Sequence, residues 1–253
     1  MKVLITGAVE GLGRSLADLV ISRGHDVLAV DHNRHGLYEM TQSNIGMCES
    51  RVLDLADLET VRLFGEKPPD GPFDLVILNA GISATGKFEE IPADAYDRLI
   101  KVNLRAPLIL ASALVREGHI KRGGKIVFIS SLSHATGYPG AAVYAATKDG
   151  IAVYARSVRK AFKKKKVKLL TVFPGPIDTK HAAKHAPKDS DASKRMDPDK
   201  LARIIMRTTR YGREELYPGL PAQLAATAGR FAPKMLAKAM RRNLYDKMDR
   251  PNY

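Results

Sequence analysis

Six short apolar runs, each followed by a longer stretch with helical spacing, recur between residues 2 and 173. This alternation leaves few folds open. The runs are KVLIT (2–6), DVLAV (26–30), SRVLD (50–54), FDLVIL (73–78), GKIVFIS (124–130) and VKLLTVF (167–173). Almost continuous β-branched and apolar character is expected of strands buried on both faces, as in a parallel sheet covered by helices. Between the runs, GLGRSLADLVISRG places Leu12, Leu16, Leu19 and Val20 on one helical face and stops at Gly24. Residues 92–119 are long enough for two helices, with Pro107 at a break near their junction. With EELYPG (214–219) as a last short edge strand, the pattern predicts a doubly wound, mostly parallel α/β sheet of seven strands with helices on both faces. The 253 residues suit one such domain.

The texture changes beyond Thr179. Residues 180–215 are charged and poorly periodic at first and then helical; they are expected to include a substrate lid. Residues 216–253 read as a basic helical extension. Of the formal net charge of +14, residues 180–253 carry seventeen Lys or Arg against eight Asp or Glu. A further KKKK block stands at 163–166. Such clusters suit anionic partners, but a solvated surface is the commoner reading and no nucleic acid is expected. Membrane contact through the extension is the less favoured alternative to its packing on the domain or a sister subunit. One cysteine, Cys48, excludes an internal disulfide. No apolar run reaches the length of a membrane span, so a cytoplasmic protein is expected.

Two stretches carry chemistry. TGAVEGLG (6–13) follows the first run and opens a helix. Gly7, Gly11 and Gly13 allow a tight turn, with a pyrophosphate at the helix N-terminus. Asp31 ends the second run, where a carboxylate accepts from the adenosine ribose hydroxyls and repels a 2′-phosphate. Glu10 adds negative charge. NAD is therefore expected over NADP, although Arg34 and His32 lie near enough to oppose this. The second stretch, SSLSHATGYPGAAVYAATK (130–148), puts Tyr144 and Lys148 on one helix face. A neighbouring ammonium is expected to lower the phenol's pKa and make it usable as a general acid/base.

The glycine spacing, NAG at 79–81, Ser131 followed by Tyr144 and Lys148, and PG at 174–175 together resemble the short-chain dehydrogenase/reductase family over residues 1–179. The match is to the branch of about 250 residues that interconverts alcohols and ketones. The resemblance implies a Rossmann-like fold and a homodimer or homotetramer. The cofactor contacts it implies are Gly7, Glu10, Gly11, Leu12, Gly13, Asp31, Asp54, Leu55, Asn79, Ala80, Gly81, Tyr144, Lys148, Pro174, Gly175, Ile177 and Thr179. It makes Ser131 the group that orients the substrate oxygen, with Ser130 as the neighbouring candidate. Asn103 becomes a helix-kinking member of a proton relay to Lys148, which also bonds the nicotinamide ribose. The expected function is NAD(P)-dependent interconversion of an alcohol with a ketone or aldehyde. A catalytically silent sensor or scaffold is the alternative, as is a reductase working on lipid-like substrates at membranes. No metal is expected.

Overall fold

The computed structural model describes residues 1–185, 190–243, 245 and 251–252. Seven parallel strands form one sheet in the order β3-β2-β1-β4-β5-β6-β7. In chain order they are β1 (Lys2–Thr6), β2 (Asp26–Asp31), β3 (Cys48–Val52), β4 (Phe73–Leu78), β5 (Ile120–Ile129), β6 (Lys168–Val172) and β7 (Glu215–Leu216). The helices are α1 (Gly11–Ile21), α2 (Arg34–Ser43), α3 (Leu58–Glu66), α4 (Ala93–Ile100), α5 (Ala106–Arg116), α6 (Ser133–Thr136), α7 (Ala142–Lys164), α8 (Lys180–His185), α9 (Pro198–Thr208), α10 (Leu220–Phe231) and α11 (Pro233–Asn243).

Alternate strand residues point to opposite faces, so the strands feed two cores. Val3 and Ile5 of β1, with Val27 and Ala29 of β2, meet α1, α2 and α9. Leu4, Leu28 and Val30 meet the other layer, where Leu110 and Leu114 of α5 and Ile151 and Ala155 of α7 are buried. Each fully buried Leu or Ile contributes about 1.5–3 kcal/mol.

The third strand corrects the expectation. It runs over 48–52 rather than 50–54, and only Cys48 in it is buried. It lies at the sheet edge beside β2, where one partner strand and partial cover suffice. The junction near Pro107 also differs in detail. α4 does not stop there; it passes through a π-helical turn over Lys101–Arg105 into α5. Pro107 has no N–H to give the Asn103 carbonyl four residues back, so the helix widens at that turn.

Candidate active site

All the chemistry-bearing segments lie beyond the carboxyl ends of the strands, where chain connections diverge to opposite faces of the sheet at β1 and β4. Gly7 turns the chain out of β1 at φ 65°, and a side chain there would come within 2.8 Å of the Ala80 backbone. Gly13 leaves room for the Gly7 carbonyl, seating α1 against the strand end. Asn79 knits this turn to β4: its amide Nδ2 donates to the Thr6 and Gly7 carbonyls, both at 3.1 Å. The buried Thr6 hydroxyl accepts from the Asn79 and Ala80 N–H groups.

Among the described residues no side chain caps the N-terminus of α1, whose first turn includes Leu12 and starts beside the exposed Glu10. These first-turn N–H groups are a ready acceptor site for an anion such as a diphosphate. Asp31 closes the turn from β2. Its carboxylate accepts from the Val9 N–H at 3.2 Å and the Asn33 N–H at 3.0 Å, with His32 Nδ1 at 3.1 Å. Asp54 accepts from the Ala56 N–H at 2.9 Å and lies 3.6 Å from Arg98, while Leu55 beside it is buried. The residues present therefore fit a dinucleotide: glycines at the turn, an uncapped helix end, and carboxylates at the ends of β2 and β3.

The second cluster is partly buried: Asn103, Ser130 and Lys148 are buried, and Ser131 and Tyr144 half-buried. α7 begins two residues before Tyr144, so Tyr144 and Lys148 share its inward face. The Tyr144 phenol is hydrogen-bonded to Ser131. Lys148 is 4% exposed; its Nζ donates to the Ile129 carbonyl at 3.0 Å and sits 5.7 Å from the Tyr144 ring centre. Ser130 has a different role from Ser131: its hydroxyl donates to the Lys148 carbonyl at 2.7 Å, pinning the helix to the strand. Asn103, 1% exposed in the widened turn, accepts from the Ile82 N–H and donates to the Ile82 carbonyl, both at 2.8 Å. Gly81 lies against both Lys148 Nζ and Asn103 Oδ1.

The expected electrostatics of the Tyr144–Lys148 pair are not found in the protein alone. Burial pushes the phenol up to about 12, with only the Ser131 hydrogen bond opposing. Burial also pushes the Lys148 amine down to about 8. The amine spends its hydrogen bond on Ile129, and its charge does not offset the phenol's desolvation.

The β6 segment completes the cleft. The Pro174 carbonyl accepts from the Leu132 N–H at 2.8 Å, Gly175 lies beside Leu132, and Ile177 bridges to Met196. Thr179 packs on Gly11 and accepts from the Ala182 N–H at 3.1 Å, starting α8 over the cleft. There His181 Nε2 meets Ser83 Oγ at 3.0 Å, and His185 Nδ1 meets Thr85 Oγ1 at 3.3 Å. Burial, then the neighbouring His181 and Lys184, holds His185 down at about 4. Asn252 pairs with Thr85 through both backbone hydrogen bonds and donates to the Lys184 carbonyl at 2.6 Å. Part of the lysine- and histidine-bearing stretch, residues 186–189, lies outside the described residues.

Several of these partners were not assigned from the sequence. Thr6 was legible as a hydroxyl at a strand end, next to the glycines. Asn252 gave no signal, because it lies 167 positions along the chain from its partner Thr85. His134 packs on Phe173, with ring centres 4.3 Å apart, and reaches the Tyr217 hydroxyl at 3.0 Å. Tyr138 meets the edge of Tyr144, with ring centres 6.5 Å apart.

A family profile described as short chain dehydrogenase matches residues 1–190. The chain belongs to the short-chain dehydrogenase family. This short-chain dehydrogenase is 30% identical over 182 residues to an uncharacterized oxidoreductase, YxbG, of Bacillus subtilis, covering 70% of this chain and 66% of that protein, just under two thirds of its length. It is 33% identical over 183 residues to carbonyl reductase [NADPH] 2 of Sus scrofa, covering 71% and 72% of the two chains. Among solved structures, a short-chain dehydrogenase from Sphingobium yanoikuyae in complex with NADPH is 25% identical, with a TM-score of 0.75 over 92% of this chain and 94% of that one. The short-chain dehydrogenase is thus an NAD(P)-dependent oxidoreductase by family. Among its described residues, no helix is long and apolar enough to cross a membrane.

Proposed function

We propose that this short-chain dehydrogenase interconverts an alcohol and a ketone or aldehyde, with Tyr144 as the general acid/base. The observation that carries the reading is the juxtaposition of the half-buried Tyr144 with Ser131, its hydrogen-bond partner, and with the buried Lys148. The nicotinamide, when bound, supplies the hydride donor or acceptor. Gly7, Leu12, Gly13, Asp31, Asp54, Leu55, the Asn79–Gly81 turn, Pro174, Gly175, Ile177 and Thr179 line or shape the groove for it, with Glu10 and Gly11 at its lip. In reduction, Tyr144 gives its proton to the carbonyl oxygen as that carbon gains hydride, and Ser131 holds the same oxygen. Lys148 and Asn103, both against Gly81, then relay a replacement proton from solvent to Tyr144. With its pKa pushed up to about 12 by burial, the phenol carries its proton at neutral pH and is a weaker acid than a free tyrosine.

NAD(H) is the coenzyme this reading prefers. Asp31 presents a carboxylate at the end of β2, where a 2′-phosphate would be repelled. The two named NADPH relatives count against the preference, and Arg34, at the start of α2, is the residue that could reverse it. A homo-oligomer in a reducing cytoplasm completes the proposal.

The test is a panel of carbonyl compounds followed by NADH and NADPH absorbance. The expected result is consumption with a lower KM for NADH, and a loss of about a hundredfold or more in Tyr144→Phe with NADH affinity retained. Substantial turnover in Tyr144→Phe would remove Tyr144 from the chemistry. A clear preference for NADPH would overturn the role given to Asp31.

A further inference from the structure

Helices α10 and α11 follow the matched family region and take no part in the cleft just described. α10 turns one face inward: Ala222 and Gly229 are buried, and Gly229 lies against the Ala135 backbone of α6. The opposite face carries Leu220, Leu224 and Phe231 at spacings of four and seven, 67%, 61% and 79% exposed. One turn past Phe231, Met235 of α11 is 77% exposed. α11 also contacts α6 and α10, with Leu236 and Met240 half-buried. Lys234, Lys238, Arg241 and Arg242 are exposed along the rest of its surface. Arg230 adds a fifth cation where it lines, with Arg156, Glu215 and Tyr217, a groove of about 540 Å³ beside α10. Between residues 216 and 245 the sequence has five cations and no acidic residue.

An exposed apolar row beside a one-sign cationic row needs a partner that is apolar within and anionic at its surface. A second copy of the same face would set five cations against five, and like charges across an interface are repulsive. An anionic bilayer satisfies both rows at once. We infer that α10 and α11 form a docking surface for anionic phospholipid membranes, with Leu220, Leu224, Phe231 and Met235 entering the headgroup boundary and Arg230, Lys234, Lys238 and Arg242 holding lipid phosphates. The reading does not depend on the redox chemistry. It places the cleft of an oxidoreductase at a membrane surface with no spanning helix among the described residues.

Sedimentation of the full chain with vesicles tests it. Phosphatidylcholine vesicles containing about one quarter phosphatidylglycerol should pellet the protein at low salt, and pure phosphatidylcholine should not. Raising salt should release it, because the cationic contribution is screened. Phe231→Asp with Met235→Asp should weaken partition at least about tenfold. Lys234→Glu with Lys238→Glu should weaken it by roughly fivefold or more per cation. NADH affinity and the circular dichroism of each variant should match the parent. Failure of the parent to pellet with anionic vesicles at low salt would overturn the inference, and that arm needs no variant. So would partition that neither pair of substitutions changes. A fall in mass by light scattering in Phe231→Asp with Met235→Asp, without vesicle binding by the parent, would assign the face to a second copy instead.

Discussion

Lys148 and Lys238 are both lysines on helices of this chain, yet they sit in opposite physical settings. Lys148 is on the inward face of α7, with one carbonyl for a partner and its pKa driven down to about 8. Lys238 stands on the outer face of α11, where water solvates the charge. Burial makes the first amine chemically responsive at a cost in stability. Exposure leaves the second a plain positive charge, useful only in company with its neighbours. The same contrast separates Tyr144, half-buried and hydrogen-bonded, from Phe231, left in solvent.

The sharpest way to break this comparison is Lys148→Met. The buried amine's value falls from 10.5 to about 8, so the folded state disfavours its protonated form. That penalty is complete below about pH 8 and fades as pH rises towards 10.5, where the unfolded chain also loses its proton. Lys148→Met is therefore expected to gain roughly 3 kcal/mol at neutral pH while losing turnover. The gain should shrink in urea titrations at higher pH. A destabilised Lys148→Met would mean that the amine is better solvated than its burial implies. Lys238→Met, in contrast, should leave stability within about 0.5 kcal/mol.

A smaller effect is expected at Asn103. Asn103→Ala leaves the Ile82 N–H and carbonyl without partners and should cost about 2 kcal/mol by urea denaturation. Asn103→Asp keeps the acceptor but not the donor, so it should also destabilise. Full stability in Asn103→Asp would show that the Ile82 carbonyl finds another donor.

The smallest effect concerns α8. His185 is neutral at ordinary pH, its value depressed to about 4 by burial and then by His181 and Lys184. Between its unfolded value near 6.5 and about 4, the unfolded state binds the extra proton, so α8 docking weakens as pH falls through that window. Hydrogen exchange of residues 180–185 should quicken towards about pH 5 relative to intrinsic rates, and His185→Gln should flatten this response. Equal pH dependence in both proteins would move the switch away from His185.

Periodicity and motif order were enough to read the sheet, because a strand buried on both faces must be apolar almost throughout, as KVLIT and FDLVIL are. Spacing of four on a helix was enough to pair Tyr144 with Lys148, and a strand end followed by glycines was enough to locate the dinucleotide turn. β3 was misplaced by two residues because an edge strand needs apolar residues on only part of its surface. What the sequence by itself determined was therefore local: which segments pair, and which side chains share a face. The tertiary structure alone decided desolvation and long-range contact. It raised Tyr144 and lowered Lys148, brought Asn252 to Thr85 and Lys184, and left one face of α10 and α11 uncovered. Those outcomes depend on how completely distant segments exclude water from one another, and adjacency along the chain carries no measure of that.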